Sequence, residues 1–483
     1  MNFDNTYDNL PSRFFADVEA AYSTDPKLLK LNTDLVEKLG LNLMAFSDSE
    51  LAQIFVGKLL PAGSRPIAMA YAGHQFGHFV PQLGDGRAML LGEVVDPLGK
   101  RFDIQLKGSG PTPFSRNGDG KSAIGPVIRE YIVSEAMFHL GVPTTRALAA
   151  VATGDYVDRE EPLPGAVFTR VASSHIRIGT FQYFAIRDDH EGLRALLDYS
   201  IKRHYPEIIG PSNAPVLFLE KVIEAQTTLV AKWMGVGFIH GVMNTDNSSI
   251  SGETIDFGPC AFMENFNFNR VFSYIDRNGR YSYMNQATII YWNLSRLADC
   301  LVPLVDSDED KAKEILGREL EKIQDIFLAK WISEMGRKLG ILNPTSSDQK
   351  LITDWLELLE EGDHDFTNSF RELLALFMGE STASSIEKTE KFKEFEKSWK
   401  ERIQNQACGL DEVVTLMNSK NPIFIPRNHL VEKAIQGAQN GDLSVFHQLN
   451  ELLQNPFEQQ PKYDHFKEPA AVDQRVCTTY CGT

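Results

Sequence analysis

The chain has 483 residues, 43% of them hydrophobic and 10% aromatic, with 65 acidic residues against 48 Lys and Arg and a formal charge of −17. That content supports a large core spread over two or more lobes and excludes a disordered chain. The acidity argues against a nucleic-acid surface, which needs clustered cations, so any anionic ligand must be held locally.

In chain order, the opening MNFDNTYDNL lacks the basic and apolar regions of a signal peptide, and no apolar run approaches the ~18 residues that span a bilayer. The expectation is a cytoplasmic protein with no membrane partner. From about residue 66 to 170, short apolar runs such as AMLLGEVV and RFDIQL, bounded by turn residues, predict antiparallel strands. One helix interrupts them: Ile124, Val127, Ile128, Tyr131, Ile132 and Phe138 recur at spacings of three and four, and Gly141-Val142-Pro143 stops the run. From about residue 190 the pattern is helical, with amphipathic stretches around 215–235, 308–338, 348–378 and 428–453. The mixed charges of 385–403 read as a solvated helix face, and 455–483, polar and aperiodic, as an irregular tail. Strands followed by helices predict an α+β protein, with a strand-rich lobe over 1–172, a helical lobe over 173–455 and a tail over 456–483.

Four motifs carry chemistry. Gln82-Leu-Gly84-Asp-Gly86-Arg87 could let backbone N–H groups approach a phosphate, although Met89 stands where a third glycine would complete G-x-G-x-x-G and a hairpin turn through Asp85-Gly86 is the simpler reading. Lys107 ends an apolar strand about twenty residues on, and Glu130 on the following helix is its candidate partner, as in kinase-like folds. His240-Gly-Val-Met-Asn-Thr-Asp246-Asn247, with Asp256-Phe257-Gly258 after it, matches the order H-x-D-x-x-x-x-N…D-F-G, except that Val242 occupies the position of the base. What remains is an ATP-and-magnesium cradle: Asn247 and Asp256 offer hard oxygen ligands, and Asp246 is the nearby carboxylate able to replace the missing base. Arg170, Arg177 and the turn Arg116-Asn-Gly-Asp119-Gly120-Lys121 are candidate polyphosphate contacts, with surface ion pairs as the plainer alternative.

Several of these segments, YAGHQFGHFVPQLGDGR, LKGSGPTPFSRNGDG, IREYIVSEAMFHLGVPTTRAL, RVASSHIRIGTFQ, GFIHGVMNTDN…DFGPCAFM and NPIFIPRNHLVEKAI, resemble the selenoprotein O family from about residue 10 to the C-terminus. The resemblance implies a two-lobed protein-kinase-like (pseudokinase) fold binding ATP in flipped orientation, so that AMP passes to Ser, Thr or Tyr hydroxyls of protein substrates and pyrophosphate leaves. It implies nucleotide contacts at Gly84, Gly86, Arg87, Lys107, Asp119, Gly120, Arg170 and Arg177, a metal (Mg²⁺, with Mn²⁺ as the alternative) on Asn247 and Asp256, and Asp246 as proton acceptor. The arginines would then hold the displaced β- and γ-phosphates.

Among the five cysteines, Cys260, Cys300, Cys408, Cys477 and Cys481, no CxxC pair suggests structural zinc. Cys481, third from the end, stands where some relatives carry selenocysteine, which excludes selenium chemistry. The resemblance also implies, in some relatives, a disulfide from the terminal cysteine to the segment after D-F-G, where this chain has Phe272, with Cys260 as a substitute. Competing readings are a conventional phosphotransferase using Asp246, UMP transfer from UTP, and a non-catalytic nucleotide-binding scaffold.

Overall fold

The computed structural model describes residues 1–380, 386, 389–407 and 409–480. Its N-terminal part is built on an eight-stranded antiparallel sheet in the order β1-β3-β6-β7-β10-β9-β2, with β8 pairing β10. The strands are β1 (Phe15–Asp17), β2 (Lys27–Leu31), β3 (Ile67–Met69), β6 (Ala88–Val95), β7 (Arg101–Lys107), β8 (Ser122–Ala123), β9 (Arg146–Asp158) and β10 (Pro162–Ala172), and a separate hairpin joins β4 (Gly73–Gln75) to β5 (His78–Val80). Helices α1 (Thr33–Lys38) and α2 (Asp48–Phe55) cover one face. Leu51 and Phe55 of α2 share one hydrophobic cluster with Ile104 and Leu106 of β7 there. The other face takes α3 (Ile124–His139), the helix expected from its periodicity.

Thirteen residues of α3 are buried, because the helix lies between the sheet and a second helical layer. That layer is α14 (Asn428–Gln439) and α15 (Ser444–Leu452). Val127, Ile128 and Tyr131 pack among Phe168, Val431, Ile435 and Phe446, so residues late in the chain share a core with the sheet. Burying Val127 and Ile128 alone contributes about 3–6 kcal/mol before entropy is counted.

The remaining chain is mainly helical: α4 (Ile178–Ala185), α5 (His190–His204), α6 (Ala214–Gly235), then the short pair β11 (Phe238–Ile239) and β12 (Ala261–Phe262), and α7 (Gln286–Val305), α8 (Glu309–Glu321), α9 (Ile323–Lys338), α10 (Gln349–Glu361), α11 (Phe366–Phe377), α12 (Glu390–Gln404) and α13 (Leu410–Lys420). The mixed strand-rich and helical character agrees with the sequence. Three of the expected helical stretches are each two helices. The break at 362–365 follows from Asp363 in the left-handed region at φ 51° and Asp365 capping the amide of Asn368. Helix α12 also departs from a purely solvated reading: its charges face water, while Phe392, Phe395, Trp399 and Ile403, spaced three and four apart, are buried. Residues 385, 387 and 388 of that stretch lie outside the described residues.

The C-terminal segment lacks long helices, yet it is attached to the body. Tyr463 and Phe466 are buried against the α3 layer. Thr479 accepts from the amide of Tyr274 at 3.1 Å and donates its own amide to Phe272 at 2.8 Å. Its hydroxyl donates to the carbonyl of Pro259 at 2.5 Å. Cys260 and Cys300 are buried and Cys477 is exposed, while Cys408 and Cys481 lie outside the described residues. No described helix is long and apolar enough to cross a membrane.

Candidate active site

Strand alternation puts Gln105 and Lys107 on the face of β7 opposite Ile104 and Leu106. In the antiparallel register Arg170 of β10 stands opposite Gln105, and Phe168 opposite Lys107. The guanidinium of Arg170 therefore donates to Gln105 Oε1 at 2.6 Å. Lys107 Nζ pairs with Glu130 of α3 and with Asp256 Oδ1, the latter at 2.6 Å.

Asp256 is the convergence point. Besides Lys107, it receives Arg170 on Oδ1 and Arg177 on Oδ2, both at 2.9 Å. Burial alone would raise its carboxyl, but Lys107, Arg170 and Arg177 outweigh burial and hold it well below the usual carboxylate range. Its backbone is left-handed at φ 65°, a conformation that costs a non-glycine residue about 1–3 kcal/mol and that surrounding contacts must enforce.

Arg177, immediately before α4, ties the two loops together. The same Nη1 that reaches Asp256 donates to the backbone carbonyl of Asp246 at 2.6 Å, and the guanidinium stacks 4.5 Å from the ring centre of Tyr71. Burial pushes the Asp246 carboxyl up to about 6, against the hydrogen bond from Gln75 and the charge of Arg177. Its Oδ1 is buried without a partner.

The β4–β5 hairpin holds three consecutive residues of this loop. The amide of Phe76 donates to Asn244 Oδ1 at 3.1 Å, the amide of His74 to Thr245 Oγ1 at 2.7 Å, and Gln75 Nε2 to Asp246 Oδ2 at 3.1 Å. Gln182 of α4 braces the clasp between His74 and Thr245. At Gly73 a β-carbon would lie 2.5 Å from Asp246 Oδ1, so only glycine fits. Sequence reasoning missed this role. The available signal was the turn Phe76-Gly77, both with positive φ, between two short strands.

The other candidate residues are placed differently. Gly84 and Gly86 lie against Phe114, which fills the space their β-carbons would need. Between them Asp85 is buried, accepting from the amide of Met69 and from Gln105 Nε2, both at 3.1 Å, so the segment is not a solvent-facing hairpin turn. Arg177 lies 3.7 Å from Asp85. Arg87 accepts from the amide of Gly108 through its carbonyl and forms no ion pair with any described residue. Asp119 is exposed and paired with Arg159 at 2.9 Å, and Gly120 closes the neck of that loop against Gly110. His240 is buried, its Nε2 at 2.9 Å from the carbonyl of Ile255, a structural position.

Asn247 and Asp256 are the residues whose oxygens are candidates for a divalent cation, Asp256 being held meanwhile by Lys107, Arg170 and Arg177. The amide nitrogen of Asn247 is spent on the carbonyl of Val242 at 2.9 Å, which leaves its oxygen as a ligand. Among the described residues no group of three or more His, Cys, Asp or Glu is placed to hold a metal ion. A cation taking one amide and one carboxylate oxygen, with the rest from phosphate and water, suits Mg²⁺ or Mn²⁺ rather than a closed protein cage.

Residues 1–454 match the family model described as protein adenylyltransferase SelO. The whole chain aligns, at 51% identity, with 97% of a protein nucleotidyltransferase YdiU of Rhizobium etli. Its identity to the protein of that name from Agrobacterium fabrum is 50% over the full length of both, and to that of Maridesulfovibrio salexigens 49% over 98% of the relative.

Proposed function

The chain belongs to the protein adenylyltransferase SelO family and is a nucleotidyltransferase, and from that premise we propose that it transfers AMP from ATP to Ser, Thr or Tyr hydroxyls of proteins. ATP lies flipped between the two lobes of a kinase-like fold, in the cytoplasm. The observation that carries this reading is the convergence of Lys107, Arg170 and Arg177 on Asp256, with Asp246 linked to the same cluster through Arg177.

Three cations on one carboxylate are more than a buried aspartate needs, and an incoming polyphosphate gives them a second anion. In the flipped orientation Arg170 and Arg177 bind the β- and γ-phosphates and stabilise the pyrophosphate as it departs, and Glu130 keeps Lys107 in place. Gly84, Gly86, Arg87, Asp119 and Gly120 shape the sheet-side wall of the nucleotide site. Asn247 and Asp256 would hold the metal, which when bound neutralises phosphate charge. Asp246 takes the proton of the acceptor hydroxyl through Oδ1. The new bond joins that oxygen to the α-phosphorus, the α–β bridging bond breaks, and its electron pair leaves with pyrophosphate. A carboxyl poised at about 6 is largely ionised at neutral pH and still basic enough to accept the proton.

The test is incubation with Mg²⁺ and ATP labelled on the α- or the γ-phosphate, with α-labelled UTP in parallel and Asp256→Ala as control. Protein-bound label from α-labelled ATP alone, lost in the variant, is expected. Label from the γ-phosphate would mark a phosphotransferase, preference for UTP would reassign the base, and no transfer would leave a nucleotide-binding scaffold.

A further inference from the structure

The chain carries a large acidic excess, yet between Glu264 and Asp299 its only acidic residue is Asp276, against Arg270, Arg277, Arg280 and Arg296. Arg296 pairs with Asp299. Arg270, Arg277 and Arg280 form no ion pair with any described residue, although acids outnumber bases across the chain. Asp276 is buried and spent on the amides of Arg280 and Tyr281 at 2.8 and 2.7 Å. The stretch is therefore an island of positive charge on an acidic molecule.

The island is also apolar. Tyr274 is 53% exposed, Ile275 57% and Met284 56%, and Tyr480 of the C-terminal segment, 61% exposed, packs with its ring 5.0 Å from that of Tyr274. Large exposed side chains scattered singly need no explanation, but a contiguous set beside unpaired arginines marks an interaction surface.

Its position says what for. The guanidinium of Arg280 lies against Gly77 at the tip of the β4–β5 hairpin and 4.8 Å from the ring centre of Trp292. Tyr281 packs on Phe76 of the same hairpin and donates its hydroxyl to Asn244 Oδ1 at 2.6 Å, two residues before Asp246. The patch thus continues directly from the loop that bears the unpartnered Asp246 Oδ1.

We propose that the surface around Arg277, Arg280, Tyr274 and Ile275 docks the acceptor protein through an acidic segment with apolar residues, delivering a nearby hydroxyl to Asp246. This rests on protein nucleotidyl transfer as proposed above and adds the chemistry of the partner: carboxylates for the arginines, one or two large apolar side chains for Tyr274 and Ile275. A basic segment would be attracted elsewhere on an acidic protein but repelled here, so the island sorts acceptors by charge.

The experiment is fluorescence anisotropy of the full chain, without nucleotide, against a fluorescein-labelled synthetic peptide holding a tyrosine flanked by glutamates and a leucine, beside versions with lysine or glutamine in place of glutamate. The acidic peptide is expected to bind, more weakly as salt rises. Arg277→Glu, at a solvent-exposed position, is expected to weaken binding several-fold, and Arg277→Glu with Arg280→Glu about tenfold or more, the scale of losing two exposed charge contacts and gaining repulsion. Tyr274→Ser with Ile275→Ser is expected to weaken it without changing its salt dependence. Equal binding of the lysine or glutamine peptide, unchanged binding in the arginine variants, or no binding of the acidic peptide overturns the proposal. Transfer is read separately with α-labelled ATP: arginine-dependent binding without transfer sinks AMP transfer and leaves the docking surface standing.

Discussion

Gln75 donates its side-chain amide to the carboxylate of Asp246 at 3.1 Å across 171 positions of sequence. The bond occupies Oδ2 and leaves Oδ1 buried without a partner, the atom that takes the proton in the proposed reaction. Gln75→Leu removes the donor while keeping most of the volume. Its expected effect is a fall in kcat of about 10–100-fold, the usual cost of losing a partner that orients a reacting group, with KM for ATP nearly unchanged. Steady-state transfer kinetics check this, with Asp246→Asn as the reference. A rise in KM at constant kcat would place Gln75 on the nucleotide instead.

Arg177 serves two acceptors at once, the Asp246 carbonyl and Asp256 Oδ2. Lysine keeps the charge but not the planar fork that spans both loops. Arg177→Lys is expected to lower turnover by about 10²–10³, the scale of losing a preorganised charge contact. Single-turnover transfer of α-label measures it, and activity within twofold of wild type would remove Arg177 from the transition state.

How much of this was legible follows from the range of each interaction. The α3 helix and the strand character of β6 and β7 are written in local periodicity, and Lys107, Glu130, Asn247 and Asp256 stand in a recognisable order along the chain. The clasp of Gln75 on Asp246 is carried by contacts between distant segments, and nothing in Gly-His-Gln-Phe-Gly encodes its partner. The same holds for Asp85, whose burial depends on Gln105 and Met69, and for Gly84 and Gly86, whose small size makes room for Phe114. The two-helix breaks in the helical part were missed because amphipathic periodicity continues through a cap such as Asp365, which interrupts the backbone without changing the pattern of apolar residues.

The C-terminal segment restrains the stretch that follows Asp256. Thr479 makes three hydrogen bonds to Pro259, Phe272 and Tyr274. Truncation after Arg475 removes them, at about 1 kcal/mol each. Hydrogen exchange in peptides covering 270–284 is expected to accelerate markedly while exchange in α3 is unchanged. Equal protection with and without the segment would show that the loop is ordered by its own contacts.

Lys338, at the end of α9, is buried against Phe370, with its Nζ 4.3 Å from the ring centre, and the hydrogen bond from Nζ to the Lys420 carbonyl is long at 3.5 Å. Burial lowers its ammonium to about 7, with Glu334 opposing the shift and Lys420 adding to it. Below about 7 the group is protonated in both folded and unfolded chains, and the folded state bears the full cost of burying the charge. Between about 7 and the ordinary lysine value the unfolded chain binds a proton that the folded one does not, so stability rises with pH by up to about 1.4 kcal/mol per unit and levels off above that range. Lys338→Met fills the same space without a charge. The variant is expected to unfold at higher urea than wild type at pH 6.5, with the gap narrowing by pH 9.5. A gap that stays constant with pH would mean that Lys338 carries the same charge in both states throughout.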